Sequence, residues 1–241
     1  MTRLTPLLLS LGLFALPPSV GAQDTSAEAL AREALQASRR GDLAVAIEKY
    51  REALEIDPEL NGARFELARL YATAGQFDES RREFALLILV NPEDSASRRG
   101  EVTALTFLGR WEDARRKLEE GLAALPRDGQ LAHLLARILA SAPTESARDG
   151  QLALRLAEKV FEIQQIAAVR ETLAMAWAET GQFDRATGVQ ATAVSMLEES
   201  GDAASLDLAR RRLDAYRERK PWRIESPIEL VLSTELPSAR R

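Results

Sequence analysis

Three glycines spaced by 34 residues constrain this 241-residue chain more than any other feature of its sequence. A proline follows each glycine 17 residues later, which gives the pairs Gly41 and Pro58, Gly75 and Pro92, and Gly109 and Pro126. A fixed period of roughly 20 to 50 residues is the signature of a protein built from stacked copies of one supersecondary unit. Glycine suits a left-handed turn out of a helix, and proline stops a helix. The spacing therefore predicts successive helical hairpins.

The composition agrees with helices and excludes several classes of protein. Hydrophobic residues make up 46% of the chain and charged residues 29%, which favours a folded all-α protein with its own core. The formal net charge of −5 and the lack of a basic run disfavour a nucleic-acid partner. Because the chain has no cysteine, disulfides and thiolate metal sites are excluded.

The residues around the glycines recur as well. Gly-Gln-Phe-Asp occurs at positions 75 and 181, and Gly-Arg-Trp-Glu occurs at position 109. These stretches resemble the tetratricopeptide repeat, a helix–turn–helix unit of about 34 residues. The resemblance implies a right-handed superhelical solenoid of about five helix hairpins, followed by a C-terminal capping helix and an extended tail. The hairpins would comprise residues 27–60, 61–94, 95–128, 129–166 and 167–200, and the fourth would contain a long turn.

Side-chain size recurs with the same period. A small residue stands five places after each glycine, where the two helices of a hairpin would cross too closely for a larger side chain: Ala46, Ser80, Ala114 and Ala186. Large residues two and nine places after the glycines would fill the space between hairpins: Leu43, Phe77, Trp111 and Phe183, then Tyr50, Phe84 and Leu118. The fifth hairpin departs from this pattern with Gln190.

Residues 1–22 have the pattern of a cleavable signal peptide. Arg3 precedes an apolar run from Leu7 to Leu16, and small residues lead up to Ala22. This run is shorter than the roughly 20 apolar residues that a membrane-spanning helix needs. We therefore expect cleavage after Ala22 and a periplasmic or secreted protein, and an uncleaved membrane anchor is the alternative.

Two further segments follow the repeats. Residues 202–219 are predicted to form a capping helix, with an apolar stripe that includes Tyr216 and a solvent-exposed side that includes Arg212. Two prolines interrupt the helical pattern after it. Residues 221–241 are therefore predicted to be an extended tail, in which the run from Ile228 docks on the repeats or pairs as a strand.

The sequence contains none of the common catalytic patterns. No Gly-x-Gly and no Gly-Lys-Ser/Thr is present to hold a nucleotide, and His133 is the only histidine. One histidine without cysteine cannot build a usual zinc site, and a Ser-His-Asp triad on His133 would lack the nucleophile-elbow pattern. We therefore expect a protein that is not an enzyme and that uses no cofactor and no metal.

The resemblance implies that the first helices of the hairpins line a concave groove. The groove positions of this chain hold the partner-binding candidates Arg39, Phe65, Arg69, Arg99, Phe107, His133 and Arg137. The same positions of the fourth and fifth hairpins also hold Ser141, Glu171 and Met175. Arginine forks bind carboxylates and aromatic rings hold apolar groups, so the expected partner is a protein or peptide with acidic and apolar residues. In a second interpretation these arginines are solvated or paired with neighbouring glutamates.

Together these observations predict a protein–protein interaction scaffold or adaptor in the bacterial cell envelope, with a partner segment bound in the groove. The alternative is a structural subunit of an outer-membrane or polysaccharide-export assembly, in which the outer face and the tail make the contacts. In both cases we expect no nucleic-acid partner and no membrane-spanning segment after signal cleavage. The sequence leaves the choice between these two functions open.

Overall fold

Helices joined by short turns make up the structure, a computed structural model that describes residues 20–233. Within these residues the chain forms α-helices and one 3₁₀ turn, and it forms no strand. The helices are α1 (Val20–Arg40), α2 (Leu43–Ile56), α3 (Asn61–Thr73), α4 (Phe77–Val90), α5 (Ser95–Phe107), α6 (Trp111–Ala124), α7 (Gly129–Ser141), α8 (Gly150–Ile163), α9 (Ala167–Glu179), α10 (Phe183–Ser200), α11 (Ala203–Arg217) and α12 (Ile228–Ser233).

The chain divides into two compact units, of which the first ends at Leu60. Its described part is the hairpin of α1 and α2, which pack against each other. Small side chains make this contact close, because Ala37 of α1 and Ala46 of α2 have no exposed surface. Residues 1–19, which carry most of the predicted signal peptide, lie outside the described residues, and α1 begins at Val20.

The second unit begins at Asn61 and its described part contains α3 to α12. Helices α3, α5, α7 and α9 are 13 residues long, whereas α4, α6 and α8 are 14 residues long. From α3 to α11 each helix packs against the next one in the chain, and α7 also packs against α9. The predicted all-α fold of successive helical hairpins followed by a cap helix, α11, is therefore confirmed.

The turns between the paired helices have the geometry that the sequence predicts. The φ angles of Gly75, Gly109 and Gly181 are 75°, 72° and 79°. They lie in the left-handed region, which residues other than glycine rarely adopt because their side chains clash with the backbone. In the first of these turns the N–H of Gly75 donates to the carbonyl of Ala72 at 3.1 Å. This turn satisfies a carbonyl at the end of the first helix, and the second helix begins two residues after the glycine.

The small and the large positions of the repeat are both buried. The predicted crossing residues Ser80, Ala114 and Ala186 have no exposed surface. Phe84 and Leu118, nine places after their glycines, are buried as well. Since protein interiors are close-packed, each hairpin tolerates little change of volume at either position.

A longer connection replaces the glycine turn in the fourth hairpin. Helix α7 ends at Ser141 and α8 begins at Gly150, with a 3₁₀ turn at Glu145–Ala147 between them. The N–H of Asp149 donates to the carbonyl of Leu139 at 2.9 Å, and the Asp149 side chain caps the N-terminus of α8. These bonds hold the extra residues in an ordered turn, and α7 still packs against α8.

The C-terminal tail differs from its predicted extended form. The chain lacks helix between α11 and Pro227, but Ile228–Ser233 forms the short helix α12 where an extended segment was expected. Oε1 of Glu229 accepts the N–H of Ser226 at 3.3 Å, as in a capping box, and Pro227 suits the first helical position because its missing N–H needs no partner there. Residues 234–241 of the predicted tail lie outside the described residues.

Overpacking the helix crossing of the third hairpin should destabilise the fold. Ala114 of α6 has no exposed surface, and α6 packs against α5. We expect Ala114→Leu to lower the free energy of unfolding by about 1 to 3 kcal/mol. The control Ala123→Leu lies at an exposed position of the same helix and should change it by less than about 0.5 kcal/mol. Urea unfolding followed by circular dichroism measures both, and equal midpoints would show that the repeat register is wrong.

Candidate functional site

The predicted groove positions differ in exposure along the second unit. In α3 and α5 they are exposed or half-buried, and we call this surface the open inner face: Phe65, Arg69, Arg99 and Phe107. In α7 and α9 the equivalent positions are buried, and we call this surface the covered inner face: His133, Arg137, Ser141, Glu171 and Met175. The same position in the repeat therefore has two different environments.

Two of the candidate arginines are exposed. Arg39 lies on α1 and belongs to the first unit. Arg69 lies on α3, where its Nη1 is 3.2 Å from Oε2 of Glu66. An exposed ion pair of this kind contributes about 1 kcal/mol or less. For Arg69, the interpretation that the arginine pairs with a neighbouring glutamate therefore holds.

Arg99 on α5 has a different environment from Arg69. Its side chain is half-buried, and its Nε has no hydrogen-bond partner among the described residues. The two aromatic candidates are held by other rings: Phe65 packs edge-on against Phe84 at 5.6 Å between ring centroids, and Phe107 stacks on Phe77 at 4.5 Å. The open inner face thus combines the half-buried guanidinium of Arg99 with two rings whose positions are fixed.

The prediction that His133 and Arg137 lie on an accessible groove was wrong. Neither side chain has exposed surface. Nε2 of His133 lies 2.7 Å from Oγ1 of Thr172 on α9, and Nη1 of Arg137 donates to the same oxygen at 3.2 Å. Because the Thr172 hydroxyl donates to the carbonyl of Ala168 at 3.0 Å, it accepts from His133, which places the imidazole proton on Nε2.

Residues 222–230, which we call the C-terminal segment, pack onto the covered inner face. The N–H of Ile224 donates to the carbonyl of Ser141 at 2.8 Å. Nη1 of Arg223 lies 2.6 Å from Oε2 of Glu179 at the end of α9. Three apolar side chains of the segment join the hydrophobic core that α7 and α9 build: Trp222, Ile224 and Leu230. The chain therefore occupies part of its own predicted groove.

A buried ion cluster ties the C-terminal segment to α9 and α11. Arg212 of α11 donates from Nη1 to Oε1 of Glu171 at 2.7 Å and from Nη2 to Oε2 of Glu229 at 3.0 Å. The indole N–H of Trp222 donates to the same Glu229 oxygen at 3.0 Å, and Gln190 of α10 donates to Glu171 at 3.4 Å. The prediction that Arg212 lies on the solvent-exposed side of the cap helix was wrong, because the C-terminal segment covers it.

Burial shifts the pKa values of the groups beneath the C-terminal segment. The pKa of His133 is lowered to about 3, first by burial and then by the charge of Arg137. Burial and repulsion from Arg212 lower the pKa of Arg137 to about 10, so this side chain stays charged at neutral pH. Burial also raises the pKa of Tyr216. The covered inner face therefore holds a neutral imidazole beside the charged guanidinium of Arg137.

Arg137 is the least satisfied charged group of this region. Its Nε and Nη2 have no hydrogen-bond partner among the described residues, and the same is true of Nδ1 of His133 and the hydroxyl of Tyr216. Each unsatisfied buried donor or acceptor costs about 1 to 3 kcal/mol. Since no carboxylate orients Nδ1, His133 does not belong to a Ser-His-Asp arrangement.

The sequence holds one signal for this arrangement that the repeat register does not include. Ser226-Pro227-Ile228-Glu229 fits the capping-box pattern, which predicts the start of a helix. The role of Arg212 has no comparable signal, because Glu171 and Glu229 lie 41 and 17 residues away from it. Only the folded chain brings these charges together.

Comparisons with known proteins agree with the hairpin architecture. Residues 37–101 match a family model described as tetratricopeptide repeat. MamA from Desulfovibrio magneticus RS-1 is 15% identical with a TM-score of 0.62, over 74% of this chain and 98% of MamA. A tetratricopeptide repeat protein from Parabacteroides merdae is 16% identical with a TM-score of 0.67, over 88% of this chain and 81% of that protein.

YrrB, described as a tetratricopeptide-repeat protein with an unusual peptide-binding site, is 17% identical with a TM-score of 0.60, over 81% of this chain and 96% of YrrB. Identities this low establish a shared fold and not a shared ligand. This chain therefore contains tetratricopeptide repeats in the matched segment and has the fold of these proteins over most of its length.

The described residues offer neither a membrane-spanning helix nor a cluster of metal ligands. None of the helices within residues 20–233 combines the length and the apolar character that crossing a bilayer requires. The same residues contain no group of three His, Asp or Glu side chains arranged as metal ligands.

Removing the buried arginine of the ion cluster should destabilise the protein strongly. Arg212→Met leaves two buried carboxylates without their cation, and we expect a loss of about 3 to 5 kcal/mol in the free energy of unfolding. Arg210→Met on the same helix removes only an exposed pair with Glu198 and should cost about 1 kcal/mol or less. Urea unfolding at neutral pH compares the two variants, and equal losses would contradict the buried ion cluster.

Proposed function

We propose that this protein is an exported interaction scaffold that binds an acidic and partly apolar segment of a partner protein on its open inner face. The observation that carries the proposal is the half-buried side chain of Arg99, which forms no ion pair with any other described residue. A guanidinium offers a planar fork that matches a carboxylate, and partial burial strengthens their attraction. A carboxylate of the partner would pair with the guanidinium of Arg99.

The aromatic residues of the open inner face support the apolar part of this proposal. Phe65 and Phe107 are half-buried, so each ring keeps some exposed surface while a second ring fixes its position. Rings that are already fixed lose little conformational entropy when a partner side chain packs on them. The fold itself is compatible with peptide binding, since YrrB is described as having a peptide-binding site.

The proposed location is the periplasm or the exterior of a bacterial cell. This part of the proposal is supported by the sequence of residues 1–22, with its basic residue, apolar run and small residues before Gln23. A chain without cysteine is compatible with an oxidising compartment, because it has no thiols to oxidise.

A second candidate function is that of a subunit in an envelope assembly. The observation that favours it is a set of exposed apolar residues near the C-terminal ends of the second helices, such as Leu89 and Val90 of α4 and Ile163 of α8. A cleft of about 530 Å³ lies beside Ile163 and is lined in part by Leu122 and Leu156. Exposed apolar surface of this kind is typical of protein contacts.

Charge reversal on the open inner face tests the first function. Crosslinking and mass spectrometry in intact cells identify the partner, and its affinity is then measured with the purified proteins. We expect Arg99→Glu to weaken binding by about tenfold or more, which equals about 1.4 kcal/mol. Arg69→Glu should weaken it less, because Arg69 already pairs with Glu66. Binding should also weaken as salt rises above the physiological range, where the Debye length is about 8 Å.

The matched control is Arg116→Glu, which reverses an exposed charge on the second helix of the same hairpin as Arg99. It should leave the affinity unchanged. If Arg99→Glu binds as well as wild type and Leu89→Ser does not, the open inner face is not the binding surface and the assembly subunit is the better description. Circular dichroism of each variant verifies that the fold is intact.

The exported location predicts a defined N-terminus. In a bacterial host that secretes the protein, the mature chain should begin at Gln23, because cleavage after Ala22 removes the signal peptide. Intact-mass spectrometry of the periplasmic fraction measures this directly. A chain that retains residues 1–22 and stays in the membrane fraction would support the uncleaved anchor instead.

A further inference from the structure

We propose that the covered inner face is a second peptide-binding surface, where the C-terminal segment is an exchangeable occupant that an acidic segment of a partner protein replaces. This inference rests on the proposed function, because it assigns to the same scaffold a second surface for acidic segments. It differs from that function in its location, on α7 and α9 beside Arg212 of α11, and in its prior occupant.

The contacts of the C-terminal segment resemble those of a bound peptide. The segment is held by a backbone hydrogen bond from Ile224 to Ser141, an ion pair from Arg223 to Glu179 and a hydrogen-bonded ion pair from Glu229 to Arg212. The segment ends within α12, a helix of six residues. A helix this short has little stability of its own. The position of the segment therefore depends on contacts that a second segment of similar chemistry can make.

The C-terminal segment leaves one charge of its binding surface unsatisfied. It brings the carboxylate of Glu229, but Oε2 of this group already accepts from Arg212 and Trp222, and Oε1 accepts from the N–H groups of Glu225 and Ser226. Nε and Nη2 of Arg137 have no hydrogen-bond partner among the described residues. The segment is thus an incomplete ligand for a surface that holds two arginines.

The unpartnered donors of Arg137 indicate the chemistry of the partner segment. Without the C-terminal segment, the side chains of Arg137 and Arg212 face a single glutamate of the ion cluster, Glu171. Such a surface attracts negative charge. A fitting partner carries an aromatic residue and a glutamate spaced like Trp222 and Glu229, together with a second carboxylate for Arg137. With this second carboxylate, the partner segment would bind the covered inner face more tightly than the C-terminal segment does.

A peptide that copies residues 221–233 serves as the probe, with a fluorescent label for anisotropy measurements on full-length protein. Glu229→Ala removes the ion pair and the cap of the C-terminal segment, so this variant should bind the probe at least tenfold more tightly than wild type. The matched control Glu225→Ala removes a carboxylate of the same segment that pairs with Arg211 at the surface. It should bind the probe as wild type does. Equal binding by all three proteins would overturn the exchange.

Three altered probes test the partner chemistry: Ser226→Asp, Ile228→Glu and Leu230→Glu. At least one of them should bind the Glu229→Ala protein about threefold or more tightly than the unaltered probe. This gain should disappear when Arg137→Met is added to that protein. If no altered probe gains affinity, or if the gain survives Arg137→Met, the assignment of an acidic partner to this surface is wrong.

Hydrogen exchange of the wild-type protein gives a second measurement that needs no variant. We expect the amide of Ile224 to exchange at least about 100-fold faster than the amide of Met175 in α9, because the segment opens locally. Equal rates would mean that the segment leaves only on global unfolding, and they would overturn the proposal. Arg99→Glu should not change probe binding, so a failure of this proposal is distinguishable from a failure of the open inner face.

Discussion

The close crossing of two helices at a small residue is the constraint on which the rest of this structure depends. Ser80, Ala114 and Ala186 have no exposed surface, and each occupies the same place in its hairpin. Because the crossing recurs at a fixed position, every first helix presents the same side to the inner face. A large side chain at one crossing would separate the helices and move the inner positions of that hairpin.

This common register produces two faces with different chemistry. Arg69 and Arg137 occupy equivalent positions two repeats apart, yet Arg69 is exposed and Arg137 has no exposed surface. The difference arises from the C-terminal segment, which brings Glu229 to Arg212 and apolar side chains to the core of α7 and α9. Because the later hairpins are covered, the candidate arginines of the second unit that keep exposed surface lie on α3 and α5. Among the described residues, the open inner face is thus left uncovered, whereas the C-terminal segment occupies the covered inner face.

Much of the fold could be predicted from the sequence because the periodic residues act locally. Gly109 requires a left-handed turn and Ala114 requires a close crossing, and both requirements are visible in a single hairpin. The covered inner face could not be predicted in this way, since Arg212 depends on Glu171, which lies 41 residues before it. The helical start at Ser226 was predictable from its capping box, but the place where that helix docks depends on the folded repeats.

The titration of His133 tests most directly whether the C-terminal segment covers the inner face in solution. His133 is the only histidine, so NMR of the full-length protein gives a single set of imidazole resonances. Its pKa is lowered to about 3 in the folded state, whereas an unfolded histidine titrates near about 6.5. Because the folded state favours the neutral imidazole, His133 contributes fully to the free energy of unfolding above about pH 6.5. This contribution is lost as the pH falls towards 3. We predict a resonance that does not shift between about pH 8 and pH 5 while the protein stays folded. A midpoint near about 6.5 in folded protein would show that the inner face of α7 and α9 is open, and would contradict this account.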